Sequence, residues 1–201
     1  MAIKTSNSGG DFKLAPEGMH VARCFKIIEC GTHLDEKFQK EKRIGWVFLE
    51  LPNALMEPND KGAQLPFIIG KRYNLSHNEK AILRLDLENW YGKRFNTADL
   101  DKSGGFDLER VIGRPAMLNV VHTEDGKYAN IASINPMPQG IECPPQVNES
   151  FIFSLEDVST DKFLKLSDKM QAFIKECKEL KPKAAVKTAN EHPAFDDDIP
   201  F

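Results

Sequence analysis

Between residues 18 and 76, apolar positions come in short runs separated by turn residues. The stretch Gly18–Cys30, GMHVARCFKIIEC, is rich in Val, Ile, Phe and Cys and reads as a long strand ended by Gly31-Thr32. The following HLDEKFQKEK is polar and charged, a loop or hairpin arm. RIGWVFLELP (43–52) forms a second strand closed by Pro52, and LPFIIGKRYNLS (65–76) a third. The segment between them carries Asn59-Asp60 and Gly62, residues suited to turns. The period then changes. Ser76 and Glu79 have capping-box spacing, and Leu83, Leu87 and Trp90, with Ile82 and Leu85 beside them, recur at helical intervals. They predict a helix over about 78–90, stopped by Gly92. A second short helix is expected over Asp107–Ile112, before Gly113. Strand patterns return at 115–123 and 127–136, on either side of the hairpin signal Glu124-Asp125-Gly126.

Three strands, a helical insert and a two-stranded hairpin give the order of a mainly β, five-stranded OB-fold barrel with a helix between strands three and four. Other α+β folds share that order. Residues 1–15 read as a flexible N-terminal arm, 16–140 as the barrel domain, 141–180 as a linker with an added C-terminal helix, and 181–201 as a disordered acidic tail. Around the start of the third segment, residues 137–150 carry three prolines and a glycine and precede an apolar Phe151–Leu155, a possible extra strand. From Thr160 to Leu180 the residues Phe163, Leu166, Met170, Phe173, Ile174 and Cys177 make one apolar stripe. It is expected to dock on the barrel or on a second copy in a homo-oligomer.

Composition adds limits. A hydrophobic fraction of 41% with 28% charged residues is ordinary for a globular protein. No apolar run is long enough for a membrane span, and the N-terminal residues lack the apolar core of a secretory signal. Cys24, Cys30, Cys143 and Cys177 form no C-x-x-C pair, so reduced thiols in a cytoplasmic protein are expected rather than a zinc site or disulfides. The net charge of −3 conceals an asymmetry. Residues 191–201 hold four acids and no base, leaving 26 acids against 27 bases elsewhere. A basic groove on the body is therefore compatible with the overall charge.

Candidate chemistry lies in basic-aromatic clusters. Binding a single strand without regard to sequence needs cations along the backbone path and ring faces for bases, each stacked base being worth roughly 1–3 kcal/mol. Lys40, Lys42 and Arg43 lead into Trp46 and Phe48, which share one strand face while Val47 and Leu49 share the other. Either face could be core. Lys71, Arg72 and Tyr73 form the second cluster, with Lys71 and Arg72 as phosphate contacts and Tyr73 at the rim of the core. Tyr91, Lys93 and Arg94 lie just past the helix end, whereas Trp90 fits the buried stripe. In the last hairpin Lys127 and Tyr128 flank a possible groove.

Enzyme signatures are missing. His20, His33, His77, His122 and His192 are scattered. There is no Walker loop, G-x-G-x-x-G, H-E-x-x-H or G-x-S-x-G, and Gly9-Gly10 and Gly104-Gly105 are isolated pairs. Asp86 and Glu88 read as solvated acids on a helix face. A non-enzyme without cofactor or metal is expected, with a two-metal nuclease built from distant carboxylates as the remote alternative.

The sequence ends in Asp196, Asp197, Asp198, Ile199, Pro200 and Phe201. Phe201 offers a ring to an apolar pocket and its α-carboxylate to an Arg or Lys, Ile199 packs beside it, and the aspartates steer toward a basic rim. DDDIPF resembles the tip of bacterial single-stranded DNA-binding proteins. The segments PEGMHVARCFKIIECGT, KRYNLSHNEKAILRLDLENWYGKRF and YANIASINPMPQG resemble phage and prophage single-stranded DNA-binding proteins with a divergent OB-fold. The resemblance implies a protein that binds single-stranded DNA in a bacterial host cell. It also implies that the tip recruits host or phage replication, recombination or repair enzymes. The extra C-terminal helix departs from the bacterial family and puts its tetramer in doubt. The alternative is an adaptor that uses the tip to engage host partners without binding DNA.

Overall fold

A computed structural model describes residues 13–181. The expectations for the arm up to residue 12 and for the acidic tail from residue 182 lie outside the described residues. The elements are β1 (Gly18–Asp35), β2 (Lys40–Leu55), β3 (Pro66–Asn74), α1 (Ile82–Tyr91), α2 (Thr97–Lys102), β4 (Pro115–His122), β5 (Ala129–Asn135), β6 (Phe151–Phe153), α3 (Asp161–Leu164) and α4 (Asp168–Lys175), with 3₁₀ turns at Leu108–Val111 and Leu155–Ser159. Mainly β structure is as expected. The strands form one six-stranded sheet in the order β3-β2-β1-β4-β5, antiparallel throughout, with β6 added parallel to β1. β3 and β5 curl to within 8 Å between Cα atoms, but among the described residues no ladder joins them. The sheet is unclosed.

The sheet packs on both faces because β1 changes parity along its length. Opposite β2, β1 carries an extra residue between Cys24 and Lys26 and another between Glu29 and Gly31. These bulges bend the strand and shift its alternation by one position each. Ala22 and Cys24 therefore face the inner core, whereas Ile28 and Cys30, of the same parity, face an outer core. The inner core gathers Val47, Leu49, Phe67, Ile69, Leu83, Leu87, Trp90 and Leu118 around α1. The outer core joins Ile28, Cys30 and Ile44 to Phe153, Phe163, Leu166 and Ile174. The C-terminal stripe thus docks on its own sheet.

Several boundaries moved for local reasons. Ser76 does not cap α1: its hydroxyl accepts from the Asn78 amide, the Ala81 amide is taken by the Asn78 carbonyl, and the helix starts at Ile82. Glu79 instead accepts from the Thr97 hydroxyl at 2.8 Å. Gly92 ends α1 at φ +64°, as expected of a glycine stop. The helix expected over 160–180 is two helices, because Thr160 and Ser167 each accept an N-cap hydrogen bond and so start separate helices. Asp86 and Glu88 are buried, not solvated. Lys71 Nζ lies 2.6 Å from Asp86, and Arg84 Nε lies 2.9 Å from Glu88. The first pair ties α1 to β3; the second lies within α1, and Glu88 also accepts from Arg94 and the Phe95 amide, which ties the helix to the loop that follows it. The arm also ends earlier than expected: Ala15 is buried and its carbonyl lies 2.8 Å from His122 Nε2.

The Pro-rich linker is a strap laid across the sheet. Arg23 donates to the carbonyls of Gly113, Cys143 and Pro144. Fully buried Glu50 accepts from the Val147 amide, the Asn148 amide and the Asn148 side chain at 2.8, 2.8 and 2.6 Å. Hydrogen bonds to a charged group contribute about 1.5–3 kcal/mol each. Glu50→Ala is therefore expected to lower unfolding free energy by about 2–4 kcal/mol in a urea titration. A loss under about 0.5 kcal/mol, the size of an ordinary surface substitution, would contradict this role for the strap.

Glu88 gives a pH-dependent check. Burial pushes its carboxyl up, but hydrogen bonds from Arg84, the Phe95 amide and Arg94 outweigh burial and hold it down at about 2. A folded-state pKa below the ordinary 4.5 stabilises the fold fully above that pH and progressively less as pH falls toward 2. The stability gap between the wild type and Glu88→Gln should close over that range in urea melts at stepped pH. A gap that stays constant would contradict the assignment.

Candidate nucleic-acid interface

Two transverse rows cross the outer face of β1, β2 and β3. In one, Ile28, Trp46 and Arg72 are cross-strand neighbours; in the next, Lys26, Phe48 and Gly70. The alternative left open by the β2 pattern is resolved: Val47 and Leu49 are core, and Trp46 and Phe48 are half-buried on the opposite face. Their rings stack on one another, with centroids 5.7 Å apart and planes 16° from parallel. Phe48 lies so close to β3 that a Cβ on Gly70 would come within 2.7 Å of its ring. Glycine is required there, because any larger residue would lift the ring from the sheet. Lys26 Nζ sits 5.5 Å from the Phe48 centroid and 5.1 Å from that of Phe151, and burial pushes its pKa down.

Most of the other predicted cations already face a carboxylate. Lys42 pairs with Asp35. Arg43 pairs with Glu29 at 2.5 Å, Arg94 with Glu88 at 2.7 Å and Lys127 with Asp125 at 3.4 Å. Lys71 is turned to the inner face and held by Asp86, which removes it from any outer strand path. Tyr73 is also corrected from rim to core: it is buried, and its hydroxyl donates to Asp86 at 2.8 Å. Burial and the adjoining carboxylate push its phenol above the usual tyrosine range. Tyr91 has the Arg114 guanidinium 3.7 Å from its ring centroid and the rings of Phe95 and Phe106 edge-on, so little of it is open to a base. Arg72 and Lys93 are exposed and have no carboxylate partner among the described residues. Tyr128 is 65% exposed beside Lys127 in the β4–β5 turn. The Asp196–Phe201 tip lies outside the described residues.

The structure adds four candidates. Lys26 reaches the platform because of the first bulge, which no spacing rule shows. Phe38 is 58% exposed at the β1–β2 turn, with Lys37 and Lys42 within 5.4 and 5.0 Å of its ring. Its signal was visible, since Glu-Lys-Phe-Gln-Lys is another basic-aromatic cluster. His33 and Phe173 stack at 3.9 Å and 5°, and the Arg72 guanidinium lies 5.3 Å from the Phe173 centroid. That contact joins residues 140 positions apart, beyond the reach of local pattern.

Other features offer less chemistry. A cleft of about 310 Å³ beside α1 has an apolar floor of Ile27, Val47, Leu83 and Phe106 and a rim that includes Arg43 and His77. The four thiols are unpaired, and burial pushes Cys24 and Cys30 up to about 12, as expected of inert packing groups. Among the described residues no cluster of His, Cys, Asp or Glu is placed to hold a metal ion, and no helix is long and apolar enough to cross a membrane.

Comparison of the chain with protein-family models, with curated proteins and with solved structures found no match in any of them.

Proposed function

We propose that the chain is a sequence-independent single-stranded DNA-binding protein whose barrel is a partly open OB-fold. The observation that carries the reading is the Trp46–Phe48 pair, stacked on one another against Gly70 with Lys26 and Arg72 next to it. Two adjacent ring faces with flanking cations suit bases stacked in succession along a backbone path. The strand order supports the finer fold reading: β1 pairs with both β2 and β4, α1 follows β3, and the seam lies between β3 and β5. Tyr128 and Phe38 are further exposed rings, each on a separate hairpin turn. The Asp-Asp-Asp-Ile-Pro-Phe sequence supports recruitment of replication, recombination or repair enzymes of a phage or its bacterial host.

One observation favours the adaptor reading. Lys42, Arg43, Lys71, Arg94 and Lys127 are each neutralised locally, which leaves a mixed surface. Base stacking contributes roughly 1–3 kcal/mol per base without any long-range field, so a mixed surface is compatible with strand binding at the ring pair.

The two readings separate in a fluorescence-anisotropy titration of labelled oligo-dT over a salt series, with duplex as competitor. Binding that duplex does not displace is expected. With the two cations beside the rings, Lys26 and Arg72, engaged, the slope of log K against log[salt] should be about −1.4. No binding at low salt would reject the DNA reading and leave the adaptor. Within the same series, Trp46→Leu is expected to weaken binding roughly five-fold or more, the loss of at least one stacked base. Unchanged affinity would remove Trp46 from the site.

A further inference from the structure

We propose that the C-terminal cap, α3 and α4, is a working part of the strand-binding face, and that Phe173 is a positioning residue acting through Arg72. The inference rests on the single-strand reading above. It starts from where the cap sits. α4 lies over the outer core, on the face that carries Trp46 and Phe48. Its Phe173 stacks on His33 of β1 and meets the Arg72 guanidinium of β3. His33 is itself fixed, its Nε2 lying 2.9 Å from the Cys30 carbonyl. The ring thus stands on a fixed support and offers a surface to a long, exposed side chain.

Arg72 needs such a surface. It is the cross-strand neighbour of Trp46, and no carboxylate holds it among the described residues. A free arginine on a strand samples many rotamers, and ordering it on binding costs entropy. Contact with Phe173 restricts it beforehand to the Trp46 end of the platform, where a phosphate beside a stacked base would lie. The charge of the cap suits that partner: from Asp161 to Lys181 there are six lysines and four acids. The cap is anchored beyond Phe173 as well. The Lys178 amide donates to the Thr32 carbonyl, and Glu179 accepts from the Thr32 amide and hydroxyl at 2.8 and 2.6 Å. Gly31 sits where a Cβ would lie 2.6 Å from that of Cys177, so β1 and the cap meet at backbone distance. Strand binding and cap docking are therefore coupled, and each stabilises the other.

The test is a double-mutant cycle on oligo-dT affinity over a salt series in the full chain, with thermal melts to confirm folding. Phe173→Leu keeps the volume and removes the ring; Phe173→Tyr restores it. Arg72→Ala and Phe173→Leu should each reduce the salt slope by about 0.7, the share of one phosphate contact on a single strand. The double variant should lose no more than either alone, and Phe173→Tyr should bind as wild type. If Phe173→Leu weakens binding equally with and without Arg72, positioning is refuted. If Trp46→Leu weakens binding while Phe173→Leu does not, the cap is a bystander and the single-strand reading stands. If the wild type fails to bind, that reading falls first.

Discussion

The architecture depends on the two bulges of β1. A regular strand of that length would present one face to one core. The extra residues at Phe25 and Cys30 shift the alternation, so the same strand supplies Cys24 and Ile27 to the inner core and Ile28 and Cys30 to the outer one. The bend also curls the sheet, bringing its edges near each other without closing them. The outer core in turn receives the C-terminal helices. Without the first bulge, Lys26 would not lie beside Phe48, and the platform would lose a cation.

Ring stacking and charge are not balanced on this surface. Nature has placed carboxylates against most of the cations near the rings, so the long-range field is weak. What remains is local: two stacked rings, a half-buried lysine, and an arginine with no carboxylate partner among the described residues. A surface of that kind would hold a ligand by contact more than by attraction at a distance.

Much of the strand framework was legible in the sequence, because turn residues and the apolar runs mark strands locally. The faces of β2 were legible as a pair of alternatives; only packing decided that Val47 and Leu49 are core. What escaped notice depends on distant partners. Asp86 and Glu88 look like solvated acids until Lys71, Arg84 and Arg94 are brought to them by the fold. Tyr73 looks like a rim residue until α1 covers it. The strap at 139–150 looks like a linker because Arg23 and Glu50, which hold it, lie about 100 residues earlier. The Ser76 capping box had the right spacing, yet the Asn78 turn used the same groups first. Phe38 was overlooked although its basic-aromatic setting was visible. The acidic tip is read from its residues alone, and it lies outside the described residues.

The proposed site puts a single strand on the outer face, against Trp46. The chain has two tryptophans, and Trp90 is buried in the inner core with its Nε1 donating to the Pro115 carbonyl at 2.8 Å. Intrinsic fluorescence therefore separates the two faces. Titration with unlabelled oligo-dT should quench the wild type and Trp90→Phe alike, and leave Trp46→Phe unquenched. Quenching that persists in Trp46→Phe, or binding with no quenching in the wild type, would contradict the outer-face site.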